Sequence, residues 1–341
     1  MIQLTKHKPA QIVNQASLPQ VNDVDQKTKN AIRRKSRFRR DLSANVTLTL
    51  MALPALAHIL LFRYFTLPFL IVAFKSYRNA DGVWGSKWVG LTNFKFIFGL
   101  SDKGWQITRN VILYNLVFII IGTVFALLVA VLLNEAYKRF VSRYYQTAFF
   151  IPNMISWVVV AYVVFAFLQT NTGMLNSVRG TFGFKPVNWY NTAEAWPFII
   201  VVVNLWRGVG VSSVIYLAGI MRINTEFFEA AAIDGANKWQ ITRFITMPQL
   251  VPLITILTLL AIGNIFFSDF GLFYQVPRQD LNPALIATTD TIDTFVFRSL
   301  RLLNKTEMAA AAGLYQSVVG FILVIVANAV VRKVDPERAL F

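Results

Sequence analysis

Apolar positions along this chain come in long blocks separated by shorter polar stretches. Six blocks reach the roughly 20 residues that a helix needs to cross a hydrocarbon core. They lie at 46–74, 110–134, 145–169, 197–219, 251–275 and 309–331. One of them, VILYNLVFIIIGTVFALLVAVLL, holds no charge in 23 residues. A helix of a soluble protein keeps a polar stripe, so this pattern predicts an all-α membrane protein with six transmembrane helices. Arg63 and Pro68 interrupt the first block and leave its outer end open. Pro152 and Asn153, early in the third, predict a kink or exposed backbone carbonyls there.

Composition agrees. The chain is 55% hydrophobic and 15% charged over 341 residues, far from the balance of a soluble globular domain. It has no cysteine, which excludes disulfides, thiolate metal sites and a cysteine nucleophile. His7 in the tail and His58 in an apolar run leave little scope for a histidine metal site; they read as a tail and a core histidine.

Charge sets orientation. Of the net +16, ten basic residues precede position 41: Lys6, Lys8, Lys27, Lys29, Arg33, Arg34, Lys35, Arg37, Arg39 and Arg40. Such a tail could bind nucleic acid, but directly before an apolar block it reads as a cytoplasmic anchor on anionic lipid. It is too long and too charged for a signal peptide. Lys138, Arg139 and Arg143 after the second block, and Arg332 and Lys333 after the last, mark the same side. Both termini are therefore expected in the cytoplasm. Loop 75–109 carries six basic residues on the outer side, weakening this bias without reversing it.

On that topology the polar stretch FEAAAIDGANKWQITRFITMPQLVP, Phe228 to Pro252, faces the cytoplasm. Thr225 or Asn224 can cap a short helix, with Glu226 in its first turn. Phe228, Ala231 and Ala232 share a face whose small residues admit close approach by another body. Gly235 suits a left-handed helix end. Asn237 and Gln240 form a capping-box pattern for a second short helix, which Pro248 is expected to stop. The pattern alone leaves open whether this surface hairpin has a partner.

Glu229-Ala230-Ala231, Gly235 three residues on, and Ile245-Thr246-Met247-Pro248 after nine more resemble the EAA loop of binding-protein-dependent ABC importer permeases. Met247 stands where the family pattern has leucine, a volume-conserving change. The segment SKWVGLTNFKFIF is similar to the external region of maltose-type sugar permeases. TTDTIDTFVFRSL and AAAAGLYQSVVGFILVIVANAVVRK resemble the subgroup handling oligosaccharides and polysaccharide fragments. The likeness covers about residues 46 to 333.

This resemblance implies the five-helix core of type I ABC importer permeases plus one N-terminal helix, in a bacterial inner membrane. The division is a basic tail 1–45, a first helix and external loop 46–109, a core 110–334 with its coupling loop at 224–250, and a short tail 335–341. It also implies partners: a second permease, usually a different chain, two ATPase subunits, and an extracytoplasmic solute-binding protein delivering a carbohydrate. Glu229, Ala230, Ala231, Asp234, Gly235 and Pro248 would couple to the ATPase. The alternative within this class is a non-sugar solute such as an amino acid, polyamine or phosphate; outside it, a membrane anchor that recruits an ATPase.

No nucleotide site of its own is expected. The nearest candidate, DGVWGSK, spaces Gly82 and Gly85 too closely for a P-loop. No catalytic triad or paired-carboxylate site is evident, so ATP and magnesium belong to partner subunits and the chain is a transport subunit.

Polar groups inside apolar blocks mark the candidate pathway. Arg207 in NLWRGVGVSS and Asp269 in GNIFFSDFGLFY differ in depth by about three residues, roughly 4.5 Å. They are hypothesised to form an intramembrane ion pair, for which a charge swap should restore function. For a sugar, a wall of aromatic faces and amides is expected, from Asn204, Trp206, Asn264, Tyr315 and Gln316. Gly122, Gly208, Gly210 and Gly263 are candidates for close helix contacts.

Overall fold

The computed structural model describes residues 46, 48–98, 103–135 and 139–334. The tail residues, His7, Lys138 and segment 335–341 lie outside this range, as do the side chains of Arg139 and Arg143. The chain divides into two compact units between Pro68 and Phe69.

The described residues of the first unit form an apolar helix with a π-helical turn at Leu60–Tyr64. Thr66 Oγ1 donates to the carbonyls of Phe62 and Arg63 as the helix loosens. His58 is exposed on its own helix, with its ring 4.8 Å from that of Phe62, and not a core residue.

The second unit opens with a two-stranded hairpin, Lys75–Ser76 against Lys87–Trp88. Gly82 and Gly85, at the ends of the short helix at its tip, form a turn. Lys75 is buried and donates to the carbonyls of Val83 and Trp84. One of the basic residues of loop 75–109 is therefore a structural peg. Phe94 packs beside Ala73 and Ala311.

The spans follow. Lys103–Glu135, Ala193–Ile220, Lys238–Gly263 and Thr306–Lys333 are long and apolar enough to cross a membrane, as is Leu48–Phe74 before them. The third apolar block is not one rod. Arg139–Met154 and Trp157–Leu168 meet at a 98° bend. Pro152 removes an intrahelical N–H, and Ser156 restarts the chain as an N-cap, its side chain accepting from Val159 N–H.

Two expectations for the fifth block need correction. Pro248 does not stop a surface helix: the chain runs helically from Lys238 to Gly263. A π-helical turn at Thr242–Thr246 lets Met247 N–H reach back to Thr242. Such a turn changes the hydrogen-bond register at the point where the proline contributes no N–H. Nor does the span reach 275. It ends at Gly263 with Asn264 as its C-cap, and the chain folds into the bundle interior. Leu272, Phe273, Val276 and Leu285 are fully buried there against Val160, Trp196 and Ile200. Beyond Gly263 the hydrophobic block thus fills the interior of this unit, at Phe266, Leu272 and Phe273, instead of continuing the span.

Segment 288–300 is a polar knot. Asp290 accepts from Thr294 Oγ1 at 2.6 Å and pairs with Arg298. Arg298 also donates to Gln279 Oε1, whose amide nitrogen reaches Thr289. Asn110 and Tyr114 of the span Lys103–Glu135 donate to the carbonyls of Asp290 and Thr288. TTDTIDTFVFRSL thus carries a structural chemistry that its letters alone did not reveal.

Candidate functional site

A cavity of about 410 Å³ lies between the spans Lys103–Glu135, Ala193–Ile220 and Lys238–Gly263. Its wall combines Asn115, Asn204 and Asn264 with Ser212, Phe118 and Phe267. Asn115 and Asn264 each donate an amide N–H to a carbonyl four residues back in their own helices, Val111 and Leu260. Each keeps its amide oxygen as an acceptor. Asn204 makes no side-chain hydrogen bond with the described residues. Gly122 and Gly208 line the same space, and a Cβ at either would meet nothing within 4 Å.

The pathway candidates therefore separate. Asn204 and Asn264 are brought together on the cavity wall. Trp206 is not: it borders an apolar groove of about 520 Å³ with Val163, Phe167 and Phe198. Tyr315 hydrogen-bonds Thr108 at 3.1 Å and meets Phe266 edge-on. Gln316 is buried and donates to Phe266 O and to Asp293. Both belong to the packing of the last span. Asn115 and Ser212 were missed, although a lone amide within VILYNLVF is a legible signal at membrane depth.

The ion pair between Arg207 and Asp269 is not formed. Asp269 lies beyond the end of the fifth span, where its Oδ1 accepts from Gly271 N–H at 2.9 Å and starts the next turn. Its Oδ2 accepts from Trp157 Nε1 at 2.7 Å. Arg207 lies over the same indole, 4.2 Å from the ring centre, and donates to the carbonyls of Asn153 and Ile155. The two charges share Trp157 instead of each other. The carbonyls freed by the break after Pro152 satisfy the guanidinium, as cations do at helix C-termini.

Of Gly122, Gly208, Gly210 and Gly263, Gly210 makes the close approach. A Cβ there would sit 1.9 Å from Phe149 O, so the fourth span packs backbone to backbone on Arg139–Met154. Gly263 has only an ordinary 3.6 Å neighbour.

The polar loop forms as expected up to Pro248. Thr225–Ile233 is helical, with Asn224 accepting from Glu226 N–H. Its end is a Schellman motif: Ala236 N–H bonds Ala231 O, Gly235 N–H bonds Ala232 O, and Gly235 has φ +76°. Asn237 and Gln240 make the reciprocal capping box. Lys238 pairs with Glu135 at 2.6 Å, which places the loop at the end of the second span. Phe228 and Ala231 are half-buried, whereas Glu229, Ala230 and Asp234 are exposed. Phe227, Ile233, Trp239 and Phe244 present large apolar surfaces there, from 52% to 86% exposed.

Residues 122–336 match the family described as binding-protein-dependent transport system inner membrane component. Among curated proteins, Protein LplB of Bacillus subtilis (strain 168) is 29% identical over 290 residues, covering 85% of this chain and 90% of its own. The polygalacturonan/rhamnogalacturonan transport system permease protein YteP of the same organism is 30% identical, covering 85% and 89%. Among solved structures, a bacterial ABC transporter involved in the import of the acidic polysaccharide alginate has a chain that superposes with a TM-score of 0.78. That chain is 29% identical, with 88% of this chain and 99% of that one covered. With a matching family region of this extent, an apolar helical core and an exposed EAA-type loop, the chain belongs to the binding-protein-dependent inner membrane components, as a multi-pass permease of an ABC importer.

Proposed function

We propose that this permease forms half of the pathway for an oligosaccharide or polysaccharide fragment, with a second permease of different sequence completing it. The observation that carries the reading is the cavity wall of Asn115, Asn204, Asn264 and Ser212 beside Phe118 and Phe267. Amides and hydroxyls match sugar hydroxyls, and aromatic faces match the apolar faces of pyranose rings. The names of the similar proteins, which speak of polygalacturonan/rhamnogalacturonan and of alginate, support a saccharide over an amino acid, polyamine or phosphate.

The termini and the loop Thr225–Thr246 face the cytoplasm in this reading. The exposed helix Thr225–Ile233 docks on one of two ATPase subunits, which hold ATP and magnesium. Glu229 meets a cation or helix end on that subunit, Ala230 and Ala231 allow close approach, and Asp234-Gly235 turns the chain away. A solute-binding protein delivers the substrate from outside. ATP acts only through its different affinity for the inward-open and outward-open arrangements.

The test is ATP hydrolysis by the complete complex in proteoliposomes, with binding protein loaded with a panel of oligosaccharides. Stimulation by one saccharide, lost in Glu229 and Gly235 variants, supports the reading. A flat response to every saccharide from an intact complex overturns it in favour of another solute.

A further inference from the structure

A second cavity, of about 320 Å³, lies away from the central one, between the end of the broken third span and loop 278–282. Its wall carries Gln169, Asn171, Asn188, Tyr190, Arg278 and Asn282, with no acidic side chain. The volume is that of a small-molecule pocket. Its polar groups are amides, the Thr170 hydroxyl, a phenol and one guanidinium.

Two features set it apart from ordinary surface. The first is Arg278. Its guanidinium lies 4.7 Å from the centre of the Phe165 ring and 5.9 Å from that of Tyr162. Its side chain makes no hydrogen bond or ion pair with the described residues. The rings fix the cation and leave its planar fork of donors unused. Its backbone is left-handed, φ +52°, a conformation uncommon for a branched-free but long side chain and held at a cost. Leu281 N–H, Asn282 N–H and the Asn282 amide all bond to the Arg278 carbonyl and pin that conformation.

The second feature is Tyr190. Its hydroxyl is buried yet makes no hydrogen bond with the described residues, while its ring is wedged between Phe165 and Trp196 at 5.7 and 5.2 Å. Leaving a buried hydroxyl unpaired is destabilising, and a ligand acceptor would relieve it. Burial pushes this phenol up to about 12, with nearby Arg278 pulling it back, so it remains a donor at any physiological pH.

We propose that this cavity is a subsite for a carboxylate-bearing sugar unit. The Arg278 fork takes the carboxylate, the Tyr190 hydroxyl donates to it or to a ring substituent, and the free amides of Asn171 and Asn188 meet the sugar hydroxyls. Carboxylate and phosphate both fit an arginine fork, so the neighbouring groups decide between them. The amide-rich wall fits a saccharide better than a simple inorganic anion. The proposal rests on the oligosaccharide reading above and adds that the saccharide is acidic.

The test uses the complete importer in nanodiscs without binding protein. Binding of galacturonate and mannuronate trisaccharides is compared with their carboxyl-reduced, neutral counterparts by calorimetry. At least one uronate should bind at least about tenfold more tightly than its neutral counterpart, the worth of one charge-assisted contact. Arg278→Gln should abolish that preference, and Arg278→Lys should restore part of it. Tyr190→Phe should weaken uronate binding several-fold while leaving the thermal midpoint unchanged or raised, because the hydroxyl it removes has no partner among the described residues. Equal binding of charged and neutral sugars, or a preference that survives Arg278→Gln, overturns the subsite. In a parallel titration with the binding protein, an Arg278→Gln variant that loses only affinity for that protein overturns it too, since the carboxylate would then be a protein side chain. If no oligosaccharide of either kind stimulates the reconstituted importer, the transport reading itself fails, which is a different result from a lost charge preference.

Discussion

Trp157 donates its indole N–H to Asp269 at 2.7 Å while Arg207 covers its ring at 4.2 Å. The indole sits where the third span bends by 98° and the chain beyond the fifth span turns inward. One ring therefore links a cation on the fourth span to a carboxylate on the inward segment, and both charges are held without direct pairing. Gly271 makes room for it: a Cβ there would lie 2.0 Å from Trp157 Cδ1.

Exchanging the charges, as Arg207→Asp with Asp269→Arg, is expected to restore nothing, because a carboxylate over the ring face is repelled by it. Trp157→Leu should cost about 2–4 kcal/mol from the lost cation–π contact and charge-assisted hydrogen bond. Gly271→Ala should reproduce that loss by displacing the indole. The readout is the thermal midpoint and coupled ATPase rate of the solubilised complex; rescue by the double exchange would restore the direct ion pair to consideration.

Gly210→Ala should impair assembly, at about 1–3 kcal/mol for overpacking, since Phe149 O is backbone and cannot step aside. Gly122→Ala and Gly208→Ala, which point into open cavity, should leave stability within about 0.5 kcal/mol. Comparison of membrane yield and detergent-resistant complex across the three separates a packing glycine from cavity glycines. Equal behaviour would contradict the close approach.

Gly235→Ala should destabilise the helix end by roughly 1–2 kcal/mol, because only the left-handed conformation, and no steric neighbour, restricts the position. Gly235→Asn should be milder. If the loop is the coupling element, basal hydrolysis by the associated ATPases persists while stimulation by loaded binding protein falls. Unchanged transport in a bulky variant such as Gly235→Trp would remove the loop from the mechanism.

Asn204→Leu and Asn264→Leu should reduce transport of the cognate solute several-fold with little loss of stability. Asn204 holds no protein group in place, and Asn264 holds only its own Leu260 carbonyl. Trp206→Leu, in the separate apolar groove, should change transport much less. Uptake assays at matched expression decide. A Trp206 effect larger than either asparagine's would put the pathway on the wrong face.

Burial holds the Asp293 carboxyl above the usual carboxylate range, and the nearby charge of Asp269 pushes the same way. Hydrogen bonds from Ser268 N–H and Gln316 oppose the shift without cancelling it. The folded chain therefore keeps a proton over a window in which the unfolded chain has lost it. This contribution to stability is full below the ordinary carboxylate range, falls as pH rises through the raised pKa, and stays lower above. Asp293→Asn should remove that component from the pH profile of the thermal midpoint; superposable profiles would argue against it.

Residue order alone determined the membrane class, the number of apolar blocks and the loop from Asn224 to Gln240. Those features depend on composition over a span and on caps within three or four positions, which are local in sequence. Glu229, Gly235 and the Asn237–Gln240 box sit where their spacing put them. What lay beyond the local pattern was which apolar residues face lipid and which face protein. Hydropathy is the same in both cases, so the run at 264–275 passed for the end of a span, although it turns inward after Asn264. The fate of Arg207 was equally hidden, since its partners Asn153, Ile155 and Trp157 lie some fifty residues away and meet it only because Pro152 and Ser156 break the third span. Tertiary structure decided which polar groups share a cavity, because a polar atom in an apolar medium takes the partner that packing brings within reach, wherever that partner stands in the chain.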